Sequence, residues 1–312
     1  MKRIIAIAGP TASGKTALSV ALAKALDGEV LSCDSMQLYR GMDIGTAKPT
    51  AAEREGVPHH LLDRADPGET FSVGKYVALA DPVLQEILAR GKTAIIVGGT
   101  GLYMDALLRG TGFAPHPATG VREKLELRAD AEGTEALLAE LATFDPTAAA
   151  RLHPADRKRI LRAMEVYYET GETITEHDRR TKEQPPRYRA CKLGLWYSDR
   201  QTLYARIDRR VEQMMAEGLL QEVQTLLQSG VPAGATAMQA IGYKELAAAL
   251  RGECTVEEAV AAIQQGSRRY AKRQMTWFRR DPEIFWIDRT AGDFSEVFSL
   301  ARQYLSDFDF AP

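Results

Sequence analysis

Residues Gly9-Pro10-Thr11-Ala12-Ser13-Gly14-Lys15-Thr16 match the phosphate-binding pattern G-x-x-x-x-G-K-[ST] in full. The pattern needs a strand before it and a helix after it, so that loop amides and a helix N-terminus converge on an anion. Both are present: Ile4-Ile5-Ala6-Ile7-Ala8 is a short apolar run, and Ala17-Leu18-Ser19-Val20-Ala21-Leu22-Ala23 opens an amphipathic helix. Lys15 adds positive charge, and the Thr16 hydroxyl suits Mg²⁺. Such a loop is usually read as nucleotide- or ATP-binding. Strictly, it specifies a phosphorylated ligand and leaves its identity open.

Strand and helix patterns go on alternating, the signature of a parallel α/β sheet. Further strands are expected at 29–33, 93–97, 192–197 and 284–287, and helices at 73–90, 102–108, 200–215, 256–279 and 294–308. Between 112 and 190 the texture changes. Pro115 and Pro117 mark one break and Pro185-Pro186 another, with helical patterns and no buried strand between them. The expected fold is a P-loop parallel-sheet α/β core, nucleoside triphosphate hydrolase-like, with an all-helical insertion domain. Residues 1–112 form the first part of the core, 113–190 the insertion, and 191–312 the remainder with a basic C-terminal helix.

A net charge of −2 argues against a uniformly basic nucleic-acid binder but leaves room for local patches. Cys33, Cys191 and Cys254 form no C-x-x-C pair, so no zinc ribbon or disulfide framework is readable, which fits a reducing cytosol. The apolar run after Lys2 and Arg3 spans only five residues before Gly9-Pro10, a strand rather than a signal peptide. No segment approaches the length of a membrane span. A soluble, cytoplasmic monomer with no membrane contact and no obligate protein partner is expected.

Ligands on open parallel sheets bind beyond the carboxyl ends of the strands. Asp34-Ser35-Met36-Gln37 follows the second strand, so Asp34 should face the phosphate loop and accept a proton from an attacking group. A helix cap or turn aspartate explains its position equally well. Ser35 and Gln37 suit hydrogen bonds to a polar heterocycle. Gly98-Gly99-Thr100-Gly101 ends another strand where ATP hydrolases usually carry an acidic residue. The glycines permit close approach to backbone, and Thr100 offers a hydroxyl.

Two basic runs stand out on this slightly acidic chain. Arg151, Arg157, Lys158, Arg159 and Arg162 lie in the insertion beside His153, with Asp156 and Glu165 as the only local acids in sequence. Arg268, Arg269, Lys272, Arg273, Arg279 and Arg280 lie near the C-terminus, interleaved with Tyr270, Trp277 and Phe278. A single run is ordinarily a solvated helix face, whereas two favour a polyanion. The aromatics suit base stacking, or equally serve as core anchors. Arg206 and Arg210 stand at i,i+4, able to clamp a diphosphate or to sit in solvent. His59, His60, His116, His153 and His177 show no metal-ligand spacing, and His59-His60 reads as a structural strand pair.

Together these segments resemble the tRNA dimethylallyltransferase (tRNA isopentenyltransferase) family over nearly the whole chain. The residues that carry the resemblance are Gly9 to Thr16, Asp34 to Gln37, Asp43-Ile44-Gly45-Thr46-Ala47-Lys48-Pro49 and Gly98-Gly99-Thr100-Gly101-Leu102-Tyr103. Ile241-Gly242-Tyr243-Lys244-Glu245 and Ala271-Lys272-Arg273-Gln274-Met275-Thr276-Trp277 complete the set. The resemblance implies prenyl transfer from dimethylallyl diphosphate to N6 of the adenosine 3′ of the anticodon in tRNA. The phosphate loop would hold the diphosphate, helped by Arg206 and Arg210. Asp34 would be the general base, with Thr100 and Lys15 also catalytic and Mg²⁺ on Thr16. tRNA would meet Asp34, Ser35, Met36, Gln37, Gly101, Arg122, Lys158, Arg159, Ile160, Leu161, Arg162, Ile241, Gly242, Tyr243, Lys272 and Arg273. Eukaryotic members carry a C-terminal zinc finger, so the chain resembles the bacterial form. The rivals are a small-molecule or nucleotide kinase and a nucleotide-dependent RNA-binding module.

Overall fold

The computed structural model describes residues 4–111, 119–183, 185–290 and 292–308. Lys2, Arg3, the break at Pro115 and Pro117, and His116 lie outside them. In chain order the elements are β1 (Ile4–Ala8), α1 (Lys15–Ala25), β2 (Gly28–Ser32), α2 (Ala51–Arg54), β3 (His59–His60), α3 (Val73–Ala89), β4 (Thr93–Val97) and α4 (Gly101–Arg109). Then come α5 (Val121–Glu132), α6 (Thr134–Phe144), α7 (Pro146–Ala149), α8 (Arg157–Thr170) and α9 (Ile174–Glu183). The chain ends with β5 (Cys191–Trp196), α10 (Arg200–Ala216), α11 (Leu219–Gln228), α12 (Tyr243–Leu250), α13 (Val256–Phe278), β6 (Phe285–Asp288) and α14 (Phe294–Ser306). The expected strands and helices are all present, with ends shifted by a residue or two.

The strands form one sheet in the order β3-β2-β4-β1-β5-β6, and every pairing is parallel. The central strands β1 and β4 are apolar runs because both faces are covered, whereas the edge strand β3 is the partly buried pair His59–His60. Ile4, Ala6 and Ala8 of β1 pack with Leu84 and Ile87 of α3 and Leu107 of α4. Ile5 and Ile7 point the other way, onto Leu18 and Leu22 of α1 and Val297 and Ala301 of α14. Burying one such aliphatic side chain contributes about 1.5–3 kcal/mol. With β1 between β4 and β5, the phosphate loop leaves the middle of the sheet beside the glycines that end β4.

Between β2 and α3 the chain is mostly irregular, and Lys48 holds it together. Its side chain is only 4% exposed, and its ammonium donates to Asp43 and Asp63 at 2.5 Å each and to the Tyr39 carbonyl at 2.9 Å. Three donors meet three acceptors, which is what a buried ammonium requires. A second stretch that the sequence left undivided folds as α11 and α12. With α13 they enclose a core of Leu219, Val223, Tyr243, Leu246 and Ile263 against Tyr39 and Met42. Among the described residues, no helix is long and apolar enough to cross a membrane.

The described residues divide into two compact units, one drawn from Met1–Gly110 and Arg187–Pro312, the other from Thr111–Pro186. The returning chain joins the core before its strand begins. Tyr188 donates its amide to the Leu108 carbonyl at 3.0 Å and its hydroxyl to Asp81 at 2.5 Å. The second unit is wholly helical, with Leu125, Leu137, Leu141, Ile160, Leu161 and Met164 at its centre.

Candidate active site

The phosphate loop is closed on itself. The Lys15 ammonium donates to the Gly9 and Pro10 carbonyls at 3.0 and 2.6 Å. Ala12 sits in the left-handed region at φ 62°, a conformation costly for a residue with a Cβ and typical of functional loops. Its carbonyl accepts from Arg206 Nε at 3.1 Å. Arg206 of α10 therefore reaches the loop, and Arg210 one turn on is near enough for its charge to act on Lys15. Burial pushes the Arg210 guanidinium down, and the neighbouring Arg206 adds to that, while Glu53 and Asp34 pull the other way. Burial, then the Arg210 charge, pushes Lys15 down to about 7 against a smaller opposing pull from Asp34. Among the described residues no carboxylate is in salt-bridge contact with Lys15, Arg206 or Arg210. Three cations thus converge on a loop built to receive an anion.

Two further polar groups stand at this loop, Ser13 of the loop itself and Arg289, which was not singled out in the sequence. The Ser13 hydroxyl and Arg289 Nε are buried without hydrogen-bond partners. Arg289 follows β6 and lies 3.8 Å from the point a Cβ on Gly14 would occupy. The Thr16 hydroxyl bonds no described protein group and is half-buried at the start of α1, a position from which it can meet a cation. No cluster of three His, Cys, Asp or Glu suited to a metal occurs among the described residues.

Asp34 is half-buried beyond β2, and its charge is felt by both Lys15 and Arg210. Its Oδ1 also accepts from the Met36 and Gln37 amides at 2.9 and 3.4 Å, so the turn function is real too. Gln37 turns inward: its amide donates to the Thr46 and Ala47 carbonyls and accepts from the Ser32 hydroxyl. It holds the 43–49 segment, which leaves Ser35 as the polar side chain beside Asp34 that is open to a ligand. The Ser35 amide donates to Thr100 Oγ1 at 3.2 Å, which joins the Asp34 turn to the end of β4.

The glycines after β4 have a steric reason. A Cβ on Gly98 would fall 1.9 Å from the Cys33 carbonyl oxygen, and one on Gly99 would fall 2.0 Å from Gln274 Nε2. Tyr270, Gln274 and Trp277 form the inward face of α13. Tyr270 lies against Thr100 and Gln274, and burial, aided by the Asp34 charge, pushes its phenol up to about 12. Trp277 packs on the Gly101 backbone and donates to Asp105 at 2.9 Å. These aromatics are anchors rather than exposed stacking platforms. A polar residue four positions from one anchor and three from the next, on a buried helix face, was the signal for Gln274.

Arg269, Lys272 and Arg273 on α13, and Arg279 and Arg280 just after it, are exposed and form no described ion pair. Arg268 instead pairs with Asp208. The insertion run is less uniform than its sequence. Arg157 pairs with Glu126 and Asp130 of α5 at 2.8 and 2.5 Å, acids that the local sequence does not show. Arg122 pairs with Glu126 at 2.9 Å, Arg162 with Glu165 at 2.8 Å, and Arg159 with Asp156 at 3.0 Å. Lys158 is exposed without a described ion pair.

Three expected tRNA contacts need correction. Ile160 and Leu161 are fully buried in the helical core, so their side chains pack rather than meet RNA. Tyr243 is also fully buried, its ring filling the space left by the absent side chain of Gly45. Its hydroxyl donates to Glu222 at 2.6 Å, and Glu222 accepts three more bonds from the Asp43, Ile44 and Gly45 amides. Ile241 packs on α13 against Gly266, and Gly242 caps α12. Tyr243→Phe is expected to cost about 1–3 kcal/mol in urea unfolding and to leave tRNA affinity unchanged in the folded protein. A loss of affinity without a loss of stability would return Tyr243 to the RNA surface.

The family model described as IPP transferase matches residues 37–281 of the chain. A tRNA dimethylallyltransferase of Geobacter metallireducens is 47% identical over 302 residues, covering 97% of each chain. One of Halalkalibacterium halodurans is 47% identical, covering 98% of this chain and 97% of its own. The crystal structure of a full-length tRNA isopentenylpyrophosphate transferase from Bacillus halodurans superposes with a TM-score of 0.75 at 44% identity, covering 98% and 96%. A eukaryotic dimethylallyltransferase acting on tRNA gives 0.82 at 29% identity, covering 98% of this chain and 80% of that one. With its P-loop sheet, its basic outer helix and these relatives along nearly its full length, the chain belongs to the IPP transferase family of tRNA dimethylallyltransferases.

Proposed function

We propose that the protein transfers a dimethylallyl group from dimethylallyl diphosphate to N6 of the adenosine 3′-adjacent to the anticodon in tRNA. The observation that carries this reading is the convergence of Lys15, Arg206 and Arg210 on the phosphate loop, with Asp34 within electrostatic reach. The adenine amine attacks the allylic carbon, the carbon–oxygen bond to diphosphate breaks, and the amine proton passes to the Asp34 carboxylate. Charge builds on the departing diphosphate, which the three cations at the loop are placed to stabilise. Thr16 would hold Mg²⁺, which would supply positive charge to neutralise phosphate oxygens.

An adenine inside a stacked anticodon loop cannot reach Asp34, so the base must swing out. Lys272, Arg273 and the exposed Arg269 on α13 suit the phosphates of an RNA stem, and so, on the helical unit by itself, do Lys158 and Arg159 of α8. The kinase alternative is not favoured, because the named relatives are dimethylallyltransferases rather than kinases.

Incubation with unmodified tRNA and either dimethylallyl diphosphate or ATP decides the matter. The expected product is a prenylated adenosine, detected by mass, with dimethylallyl diphosphate alone. Phosphoryl transfer, or a product that requires ATP, would overturn the reading. Replacing Lys272 and Arg273 together by alanine is expected to weaken tRNA binding. It should also flatten the plot of log affinity against log salt by roughly 1–2 units. An unchanged slope would make this helix face a solvated surface.

A further inference from the structure

We propose that Gln274 is a positioning residue that sets the separation between the loop holding the diphosphate and the loops receiving the adenine. The proposal rests on the prenyl-transfer reading above. Gln274 is 5% exposed and its side-chain amide bonds in two directions. Its Oε1 accepts from the Thr11 amide at 2.9 Å, inside the phosphate loop. Its Nε2 donates to the Gly99 carbonyl at 3.1 Å, in the loop after β4. The next residue, Thr100, receives the Ser35 amide, beside Asp34. Donor loop, β4 loop and Asp34 turn are therefore tied in series, with one glutamine as the link between the first two.

The sheet does not make this connection itself. The last backbone bond at this end of β1 runs from the Gly98 amide to the Ile7 carbonyl at 3.2 Å, and beyond it the two loops run close, with the Gly99 Cβ position 3.9 Å from the Gly9 carbonyl, but share no described backbone bond. Among the described residues, the Gln274 amide is the polar bridge across that gap. The bridge is closely fitted, since a Cβ on Gly99 would meet Nε2 at 2.0 Å. It is also held at both ends of its own helix segment. Tyr270 lies one turn earlier against Thr100, and Trp277 lies one turn later on Gly101, bonded to Asp105.

Transfer requires the allylic carbon and the amine nitrogen at about 3–3.5 Å, and a misplacement near 1 Å costs about 10²-fold in rate. Gln274 touches neither reacting atom, yet it spaces the two loops that carry them. The same helix presents Lys272 and Arg273 outward, so its inner face sets the reacting geometry while its outer face bears the cations suited to tRNA.

The test uses two variants of the full chain. Gln274→Met keeps length and volume and removes both bonds. Gln274→Glu keeps the acceptor for Thr11 and removes the donor to Gly99. Single-turnover rate at saturating tRNA and dimethylallyl diphosphate is measured alongside each substrate's affinity and the unfolding temperature. The expected result is a loss of about 10²-fold in single-turnover rate, with both affinities within about threefold of the unmodified protein. A rate within about threefold of the unmodified protein in either folded variant overturns the proposal. So does a loss fully matched by weaker substrate binding or by the unfolded fraction. If the unmodified protein itself makes no prenylated adenosine, the functional reading fails instead, independently of Gln274.

Discussion

Asp34→Asn is expected to lower the single-turnover rate of prenyl transfer by about 10² to 10⁴ with tRNA affinity preserved. Asparagine is the informative substitution because of what Asp34 does besides accepting a proton. Its Oδ1 fastens the Met36 and Gln37 amides, and an asparagine carbonyl fastens them equally well. Basicity is lost and the turn stays. Asp34→Ala removes both functions and is expected to weaken tRNA binding as well, since the unfastened turn carries Ser35 away from Thr100. Rapid-quench measurement with both substrates saturating separates the two variants. An asparagine variant that keeps more than about a tenth of the rate would leave Asp34 as a turn residue only.

Lys15→Met is expected to cost about 10² to 10³ in rate and to change how diphosphate binding responds to pH. In the free protein burial and Arg210 hold the ammonium down to about 7, so above that pH the group is largely neutral. An anion binds the protonated form, and binding above pH 7 must therefore take up a proton. Affinity for inorganic diphosphate should fall by up to about tenfold per pH unit between about 7 and 9. Below about pH 7 the trend stops, because Lys15 is already protonated in the free protein and binding takes up no further proton there. Calorimetry in two buffers of different ionisation enthalpy measures the proton uptake directly. The methionine variant should bind more weakly and without that slope. A slope that survives the substitution would assign the titration to the ligand. The sign for folding follows from the same shift: a folded value below the unfolded one makes this group's contribution more favourable as pH rises from about 7 towards 10.5.

Local patterns carried much of this molecule into its sequence. The central strands β1 and β4 are continuous apolar runs, because both faces of the sheet are covered there, and each runs into glycine, at Gly9 and Gly98. The loop Gly9 to Thr16 and the location of Asp34 follow from strand ends alone. Long-range contacts were not legible in the same way. Arg157 looks like part of a cationic run until α5 supplies Glu126 and Asp130 from about thirty residues away. Tyr243 looks like a surface motif residue until the gap at Gly45 and the oxygen of Glu222 give its ring and hydroxyl a buried place. Lys48 belongs to a conspicuous motif, yet its ammonium is consumed by the fold. Gln274 stood in plain sight in a recognisable segment. Its meaning depended on two loops, 263 and 175 positions away in sequence, arriving on either side of one amide.

The Gly110 backbone lies against the Arg187 side chain, and the Tyr188 amide closes onto Leu108. The core chain therefore closes on itself here, with Leu108 and Gly110 beside Tyr188 and Arg187, before β5 begins. Such a junction is modular. A segment hung from a single closed point can be lengthened, exchanged or lost over evolutionary time without re-registering a strand or moving the phosphate loop. A lineage can therefore reshape its helical unit while the sheet and the phosphate loop remain intact.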